Sequence, residues 1–576
     1  MSADNKTEGS SPQKPLRLMP GVIIVSLQLF FRFVIPDIMP GDTALIAGVF
    51  AGILGGVVVA IWWVFFSRAP GIERWGAIIL IIAAMFGTSL LLDNSIATAN
   101  MGLMFIIFSV PVISLAFVIW SVASRNLSVV PRRVTMILTI ILSTGMWIFL
   151  RTDGMDAELH HEIKWRWAET AEERLLAKNK NETDSLPSSA TVSDTGAYWP
   201  GFRGPDRNSI IHGLQIRTDW SVSKPDEMWR KPIGPGCSSF AVHGSLFYTQ
   251  EQLGEYEIVS CYDLATGKPR WKHRDEARFY DSHAGAGPRS TPTLAGGRIY
   301  TLGATGILNV LNAADGSVVW SLNAAAQNDV KALTWGFTGS PLVVNDEVIV
   351  SLSGKLAAYD AANGKPKWSG PDGGNSFSSP HLITIDGVSQ ILLMSANGAT
   401  SIEPDGGKIL WKYDWQVEDR ILQPAVIDDS DLLMAGETKG VRRVRVSHTK
   451  GEWSVKELWT SSDMKVNFND FIIHKGYAYG FDGPRIECID ISDGKSKWKG
   501  NPYRGWLLLL ADQDLLLVLS EKGELALVGA NPEKFSELAH YQAITGKTWN
   551  HPALGGQVLL VRNNLEMAAF HLSRQN

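Results

Sequence analysis

Cysteine is scarce: there are three in 576 residues, at positions 237, 261 and 488, and no two are adjacent. A fold built on a disulfide framework is excluded. No CxxCH occurs, so the chain has no attachment point for a c-type haem. No GxSxG occurs either, which removes the hydrolase elbow. TGKT at 545–548 has Tyr541 where a phosphate-binding loop needs its first glycine, and the stretch 283–288 does not complete GxGxxG. HEIKW at 161–165 ends on Trp165 where a zinc-protease helix needs its second histidine. Charge is also sparse, at 19% of residues with a net of −5, and no region has the basic excess of a nucleic-acid binder. Nucleic acid is therefore not an expected partner.

What the chain has in quantity is apolar sequence, and it is unevenly placed. Residues 1–150 carry 9 Lys/Arg and 6 Asp/Glu, whereas residues 151–576 carry 44 and 52. Five apolar runs stand out in the first part, at about 18–36, 43–66, 75–92, 101–123 and 134–150. Most reach the ~20 residues that cross ~30 Å of hydrocarbon at 1.5 Å per residue. The third and fifth are the short ones. Sixteen mostly polar residues precede the first run and no small-x-small site follows it, so it does not read as a cleaved signal peptide.

Positive charge falls on alternate loops: Lys6, Lys14 and Arg17 in the tail, Arg68 and Arg74 in the second loop, and Arg125, Arg132 and Arg133 in the fourth. The intervening loops hold Asp37, Asp42 and Asp93 and no Lys or Arg. This asymmetry places the N-terminus in the cytoplasm and, after five crossings, everything beyond Leu150 on the far side. Arg32 lies near the outer end of the first run, where snorkelling to the interface accounts for it. Pro111 predicts a kink in the fourth. Residues 156–180 have helix-forming composition and mixed charge, which predicts a solvated helix beside the membrane. Residues 181–198 are rich in Ser, Thr and Asp and read as a linker.

From Trp199 a unit recurs: an acidic or amide residue, three residues, Gly, three residues, Trp. It reads Asp263–Gly267–Trp271, Asn312–Gly316–Trp320, Asp360–Gly364–Trp368, Glu403–Gly407–Trp411 and Asp490–Gly494–Trp498, with degenerate copies ending at Trp229, Trp459 and Trp549. Successive tryptophans are 42, 49, 48, 43, 48, 39 and 51 residues apart. A period of ~40–50 with several strands per unit is the mark of a β-propeller. The acid accepts hydrogen bonds from the turn backbone. The glycine supplies the positive φ of the turn. The tryptophan packs its apolar face between neighbouring blades. Seven complete units end at Trp271 through Trp549. The C-terminal segment 551–572 has strands but no closing Trp, and DEMWRKP at 226–232 is an orphan outer strand. Together they predict an eighth blade made from both ends of the region, which closes the ring and removes its edges.

The units DLATGKPRW, AANGKPKW and DISDGKSKW resemble the repeats of pyrroloquinoline-quinone (PQQ) propellers. With YWPGFRGPDRN at 198–208, TQEQ at 249–252, AGPRSTPTL at 286–294 and WGFTGSPLV at 335–343, the region 199–572 is similar to the bacterial PQQ-binding-like β-propeller repeat proteins. That group includes quinoprotein dehydrogenases and the non-catalytic outer-membrane assembly lipoprotein. The expected fold is thus an all-β eight-bladed β-propeller preceded by an α-helical membrane domain of five transmembrane helices. Its parts are a cytoplasmic tail (1–17), the helices (18–150), a juxtamembrane helix and linker (151–198) and the propeller (199–576).

If the resemblance extends to the cofactor, PQQ needs cations for its carboxylates, oxygen ligands for Ca²⁺ and a carboxylate base, all facing the central funnel. Candidates at inner-strand ends are Glu251, Gln252, Arg278, Asp281, His283, Arg289, Trp335, Arg420, Asn469 and Asp470. No separate metal site is assigned, and the bland reading is that these groups satisfy loop backbone and channel surface. Soluble quinoprotein alcohol dehydrogenases carry adjacent cysteines over the cofactor, and this chain has none. Membrane-bound quinoprotein glucose dehydrogenases lack them too and share the layout of five spans and a propeller. Cys237 and Cys261 are open to pairing, whereas Cys261 and Cys488 occupy equivalent strand positions expected to hold buried thiols. The leading expectation is a propeller anchored in the bacterial cytoplasmic membrane, lipid on one side, binding an envelope protein on the periplasmic side as a scaffold. The alternative is a PQQ-dependent dehydrogenase oxidising an alcohol or sugar and reducing ubiquinone.

Overall fold

The computed structural model of the protein describes residues 16–39, 42–156, 161–179, 193, 195–417, 421–436, 439–466 and 468–575. The chain divides into two compact units, residues 1–168 with 281–283 and residues 169–280 with 284–576.

In the first unit four helices are long and apolar enough to cross a membrane: Ala44–Phe66, Gly71–Ser89, Met104–Asn126 and Val129–Phe149. The first apolar run forms a shorter apolar helix, Met19–Val34. Its last turn, Phe30–Val34, is a wider π-turn, and Pro36 follows it. Glycines spaced four apart let helices approach. A Cβ on Gly52 would meet the Arg32 side chain at 3.1 Å, and one on Gly56 would meet Val110 at 2.2 Å. The Gln28 amide donates to Gly52 O at 2.7 Å. At the end carrying the basic loops, the buried Glu73 accepts from Arg132 and, at 3.3 Å, from Arg133. The buried carboxylate is tolerated because two guanidinium groups answer it, and the excess positive charge falls on the more exposed Arg133.

The connection differs from its sequence reading. Leu150–Met155 and His161–Trp165 pair as an antiparallel hairpin, and only Ala171–Asn179 is helical. Helix-forming side chains in HEIKW are overridden by a partner strand about ten residues upstream, a tertiary effect that propensity does not carry. The linker expected at 181–198 lies mostly outside the described residues.

The second unit holds eight antiparallel sheets of four main strands. In chain order, the second to sixth sheets are each built from four consecutive strands. The seventh adds a short parallel strand, Ile210–Ile211, beside its inner strand Gly505–Leu510. The first adds Tyr198–Trp199 beside Ala241–His243. The eighth takes three strands from 553–571 and its outer strand from Asp226–Pro232, which pairs with Glu566–His571. The ring closes as the repeat count requires, and these blades are numbered 1 to 8 below.

The repeat unit works as its chemistry predicts. Asp263 Oδ1 accepts from Thr266 N at 3.0 Å, and Asp490 Oδ1 from Ser492 N at 2.9 Å. The turn glycines 267, 316, 364, 407 and 494 all have φ between +63° and +72°. Each lies against the tryptophan of the preceding blade: a Cβ on Gly316 would stand 2.5 Å from Trp271, and one on Gly364 2.8 Å from Trp320. The indole N–H then donates to the carbonyl just after the turn's acid or amide: Trp229 to Leu264 (2.9 Å), Trp271 to Ala313 (3.0 Å), Trp320 to Ala361 (3.1 Å), Trp459 to Ile491 (3.1 Å). Trp368 and Trp411 instead find Glu347 and Gln390 in their own blades. Cys237, Cys261 and Cys488 are free thiols, the last two buried. Both stand across from a tyrosine, Tyr248 and Tyr479, in the same register.

Trp271→Ala is expected to lower the unfolding free energy by about 3–5 kcal/mol, the range for deleting a large buried aromatic. Gly316→Ala, which puts a methyl into the indole at positive φ, should lower it by about 1–3 kcal/mol. The double variant should lose less than the sum, because the second methyl no longer has an indole to strike. Denaturant midpoints of the four proteins check all three statements.

Candidate functional site: the propeller axis

The axis of the ring is occupied by the chain itself. Trp199 pairs with Val242 at the end of the inner strand of blade 1, and Ile210–Ile211 runs parallel to Leu509–Leu510 at the end of that of blade 7. Between these anchors, residues 200–209 form a loop that reaches the level where the inner strands begin. Gly201, Gly204, Arg203, Arg207 and Ser209 all have positive φ, three of them without the freedom of glycine. Such a run is tolerated only where surrounding contacts over-determine it.

Those contacts come from seven of the eight blades. Pro200 O accepts from Leu294 N of blade 2 at 2.8 Å, and Ser209 O from Leu509 N of blade 7 at 2.9 Å. Arg207 donates to Ser340 O (3.3 Å) and Pro341 O of blade 3, to Pro380 O of blade 4 (2.9 Å) and to Thr293 Oγ1 of blade 2 (3.4 Å). Arg203 donates to Phe471 O of blade 6 at 3.1 Å, to Ser209 Oγ at 3.0 Å, and lies 3.4 Å from the Asp470 carboxylate. Ser209 Oγ meets His551 Nε2 of blade 8 at 3.0 Å. Trp199 completes the seven with blade 1. Burial brings the Arg207 guanidinium down to about 10 and, with Arg203 adding its charge, holds His551 at about 3. His381, 6% exposed, is held at about 3 by burial and then by Arg203 and Arg207.

Around this loop the inner-strand starts are stitched into a belt. Ser239 N donates to Thr291 Oγ1 (3.0 Å), Thr291 N to Ser340 Oγ (2.9 Å) and Ser340 N to Ser379 Oγ (2.9 Å). Ser378 Oγ donates to Leu422 O (2.7 Å), and Gln423 N to Asp470 Oδ1 (2.8 Å). Asn469 Nδ2 donates to Gly505 O, Trp506 Nε1 to Trp549 O (3.0 Å) and Ser239 Oγ to His551 O (2.5 Å). Every blade-to-blade junction is covered once.

Of the residues singled out from the sequence, Asn469 and Asp470 fall into this belt. Glu251 is buried and accepts from Gly234 N (2.8 Å), Ser260 Oγ (2.7 Å) and Tyr262 OH (2.9 Å). Burial alone would raise its pKa, yet Lys272 and these donors hold it below the usual carboxylate range. Gln252 donates to Gly254 O and Ala277 O. Arg278 pairs with Glu172 at 2.8 Å, fastening the helix Ala171–Asn179 to blade 1. Asp281 accepts from His283 N at 2.8 Å. Arg289 donates to Gly285 O (2.6 Å) and lies over Phe279. Trp335 packs on Phe377 at 4.6 Å. Asn469 and Asp470 sit in the belt, and Arg420 lies outside the described residues. Only Asp470 meets an axial cation. Those side chains among the described residues are engaged with protein partners, so they do not fit PQQ, which needs free cations and oxygen ligands converging on one flat space. No group of three His, Cys, Asp or Glu converges on one point among the described residues.

The residues that build the axis, Arg203, Arg207, His381 and His551, were not singled out. A signal was available: Thr291-Pro292, Ser340-Pro341, Ser379-Pro380, Gln423-Pro424 and His551-Pro552 repeat a polar–proline pair at the head of five inner strands. Proline there removes a donor that has no ladder partner.

The folded state keeps His381 neutral, whereas the unfolded chain takes up a proton near pH 6.5. Stability from this group is therefore full above pH 6.5 and lost as pH falls toward 3. His381→Gln should flatten that acid limb, removing about 2 kcal/mol of the loss between pH 7 and pH 5. Urea midpoints at the two pH values measure it, with His551 common to both proteins.

Residues 217–375 and 257–500 match the family described as outer membrane protein assembly factor BamB. The BamB of Shewanella oneidensis is 28% identical over 156 residues, 25% of this chain and 36% of that protein. The quinohemoprotein alcohol dehydrogenase ADH-IIG of Pseudomonas putida is 26% identical over 205 residues, 34% of this chain and 26% of that one. The chain thus spans about a third or less of the length of these two relatives. The BamB of Yersinia pestis is 25% identical over 320 residues, covering 53% and 70% of the two chains. Among solved structures, the quinohemoprotein alcohol dehydrogenase ADHIIG of Pseudomonas putida HK5 aligns with a TM-score of 0.49 at 14% identity, over 68% of this chain and 83% of that one. From its turn-and-tryptophan units, its closed ring of eight sheets and its sequence matches, this chain is an eight-bladed β-propeller with PQQ-like repeats, similar to those of the assembly-factor family, and its ring is preceded by apolar helices.

Proposed function

We propose that this protein is a membrane-anchored binding and scaffold module of the bacterial cell envelope. Its helices hold the propeller at the outer side of the cytoplasmic membrane, and loops on one ring face engage an envelope protein. The observation that carries this reading is the filled axis. The loop 200–209 and the belt of strand-start side chains take up the groups that a quinone cofactor would need. The matches to assembly factors support it, and the basic loops at 68–74 and 125–133 support a cytoplasmic N-terminus.

The alternative, a PQQ-dependent dehydrogenase that oxidises an alcohol or sugar and passes electrons to ubiquinone, is favoured by the match to a quinohemoprotein dehydrogenase. It requires the axial loop to leave, exposing two arginines now bonded to acceptors of four blades.

Purified protein in lipid nanodiscs, given PQQ and Ca²⁺, is expected neither to take up the cofactor nor to reduce dye with alcohols or sugars. Cofactor uptake with dye reduction would replace the scaffold reading by the dehydrogenase. In cells, photo-crosslinkers at the exposed Lys331 and Lys475 should trap discrete envelope proteins from one of these positions. A smear of unrelated partners at both would count against a specific scaffold.

A further inference from the structure

The loop does not fill the axis evenly. It adds strands to blades 1 and 7 and packs Trp199 against His551 of blade 8 with ring centroids 6.5 Å apart. The opposite side, facing blades 4 to 6, stays open as a cavity of about 530 Å³. Its walls run along the inner strands of those blades, from His381, Pro424 and Phe471 toward the turns that end them, so it reaches beyond the belt of strand starts.

The lining is of two kinds. Its polar lining is Arg203, Asp206, Arg207, Asn208 and His381, and its apolar lining includes branched side chains such as Ile383, Val426 and Ile473. Arg203 has Asp470 as a counter-charge. Arg207 has no carboxylate within ion-pair distance among the described residues, only carbonyl and hydroxyl oxygens. His381 Nδ1 is buried without a hydrogen-bond partner. A buried cation without a counter-ion and an unmet imidazole nitrogen beside an open space are groups whose burial costs free energy unless something answers them. Water can hydrate these polar groups but leaves the apolar wall unanswered. A ligand with an acidic head and a hydrocarbon body answers all three, and 530 Å³ is within the range of small-molecule pockets.

We propose that this cavity binds a small amphipathic carboxylate, its acid group against Arg207 and His381 and its apolar body on Ile383, Val426 and Ile473. The site begins at the strand starts and runs along the inner strands beyond them, and it does not depend on the scaffold reading.

The test uses the full chain in lipid nanodiscs and calorimetric titration with 4-phenylbutyrate and hexanoate, against 4-phenylbutanol, hexanol, acetate and inorganic phosphate. Empty nanodiscs supply the baseline for partition into lipid. The two amphipathic acids should bind saturably at one per chain, with the alcohols, acetate and phosphate each at least tenfold weaker. Arg207→Gln should weaken the acids at least tenfold. Because that variant also removes bonds to three blades, Val426→Trp, which fills the cavity from its wall without touching the loop, should abolish binding while leaving the thermal midpoint unchanged. Alcohols binding as well as the acids, undiminished binding to Val426→Trp, or no saturable binding of either acid would each overturn the proposal.

Discussion

Eight blades set around a circle leave an axis too wide for their own inner strands to fill. Nearly everything distinctive in this ring answers that constraint. Smaller side chains at the inner edge cannot bridge the space, so main chain is brought in. A single loop, 200–209, supplies it, at the cost of five positive-φ positions within nine residues, Gly201 to Ser209. The backbone strain is offset by guanidinium groups long enough to reach several blades at once. A planar donor fork suits that task, because Arg207 can serve carbonyls of blades 3 and 4 in one plane. Lysine, with a single ammonium, could not.

The outer rim solves a different problem by repetition. There the gap between blades is narrow, and it is set by an indole lying flat on a glycine. The same contact of indole on glycine recurs from blade to blade, with the N–H of Trp229, Trp271, Trp320 and Trp459 reaching the carbonyl just past the turn's acid or amide. Where the carbonyl is not offered, as for Trp368 and Trp411, an acid or amide of the same blade takes the proton donor, and the packing on glycine survives at Gly407. Packing is therefore the fixed element and the hydrogen bond the adjustable one.

This contrast explains what could be read from the sequence. The rim is written in local, repeated units, so Asp263–Gly267–Trp271 and its copies declared the blades, their number and even the completing strand at 226–232. The axis is built once, from an irregular loop whose blade partners lie from 86 residues away, as Thr293 does from Arg207, to 342, as His551 does from Ser209. No periodicity announces such pairings. Glu251 was recognisable as a candidate for the funnel, but its use in tying Gly234, Ser260 and Tyr262 together depends on neighbours that only the folded ring supplies. The connection at 161–165 failed for the same reason, since its partner strand, not its composition, decides it.

The order of the chain gives the axial loop a role in assembly. It precedes every blade in sequence, and the strand at 226–232 stays unpaired until residues 566–571 have been made, more than 330 residues later. A nascent polypeptide cannot thread the loop into a finished toroid. Each sector must instead be laid down around it, as staves around a core, with the last hoop drawn tight when the final hairpin leaves the ribosome. Until then a bare edge persists, open to any wandering strand, and a holdase that shields it would suit a protein of this build.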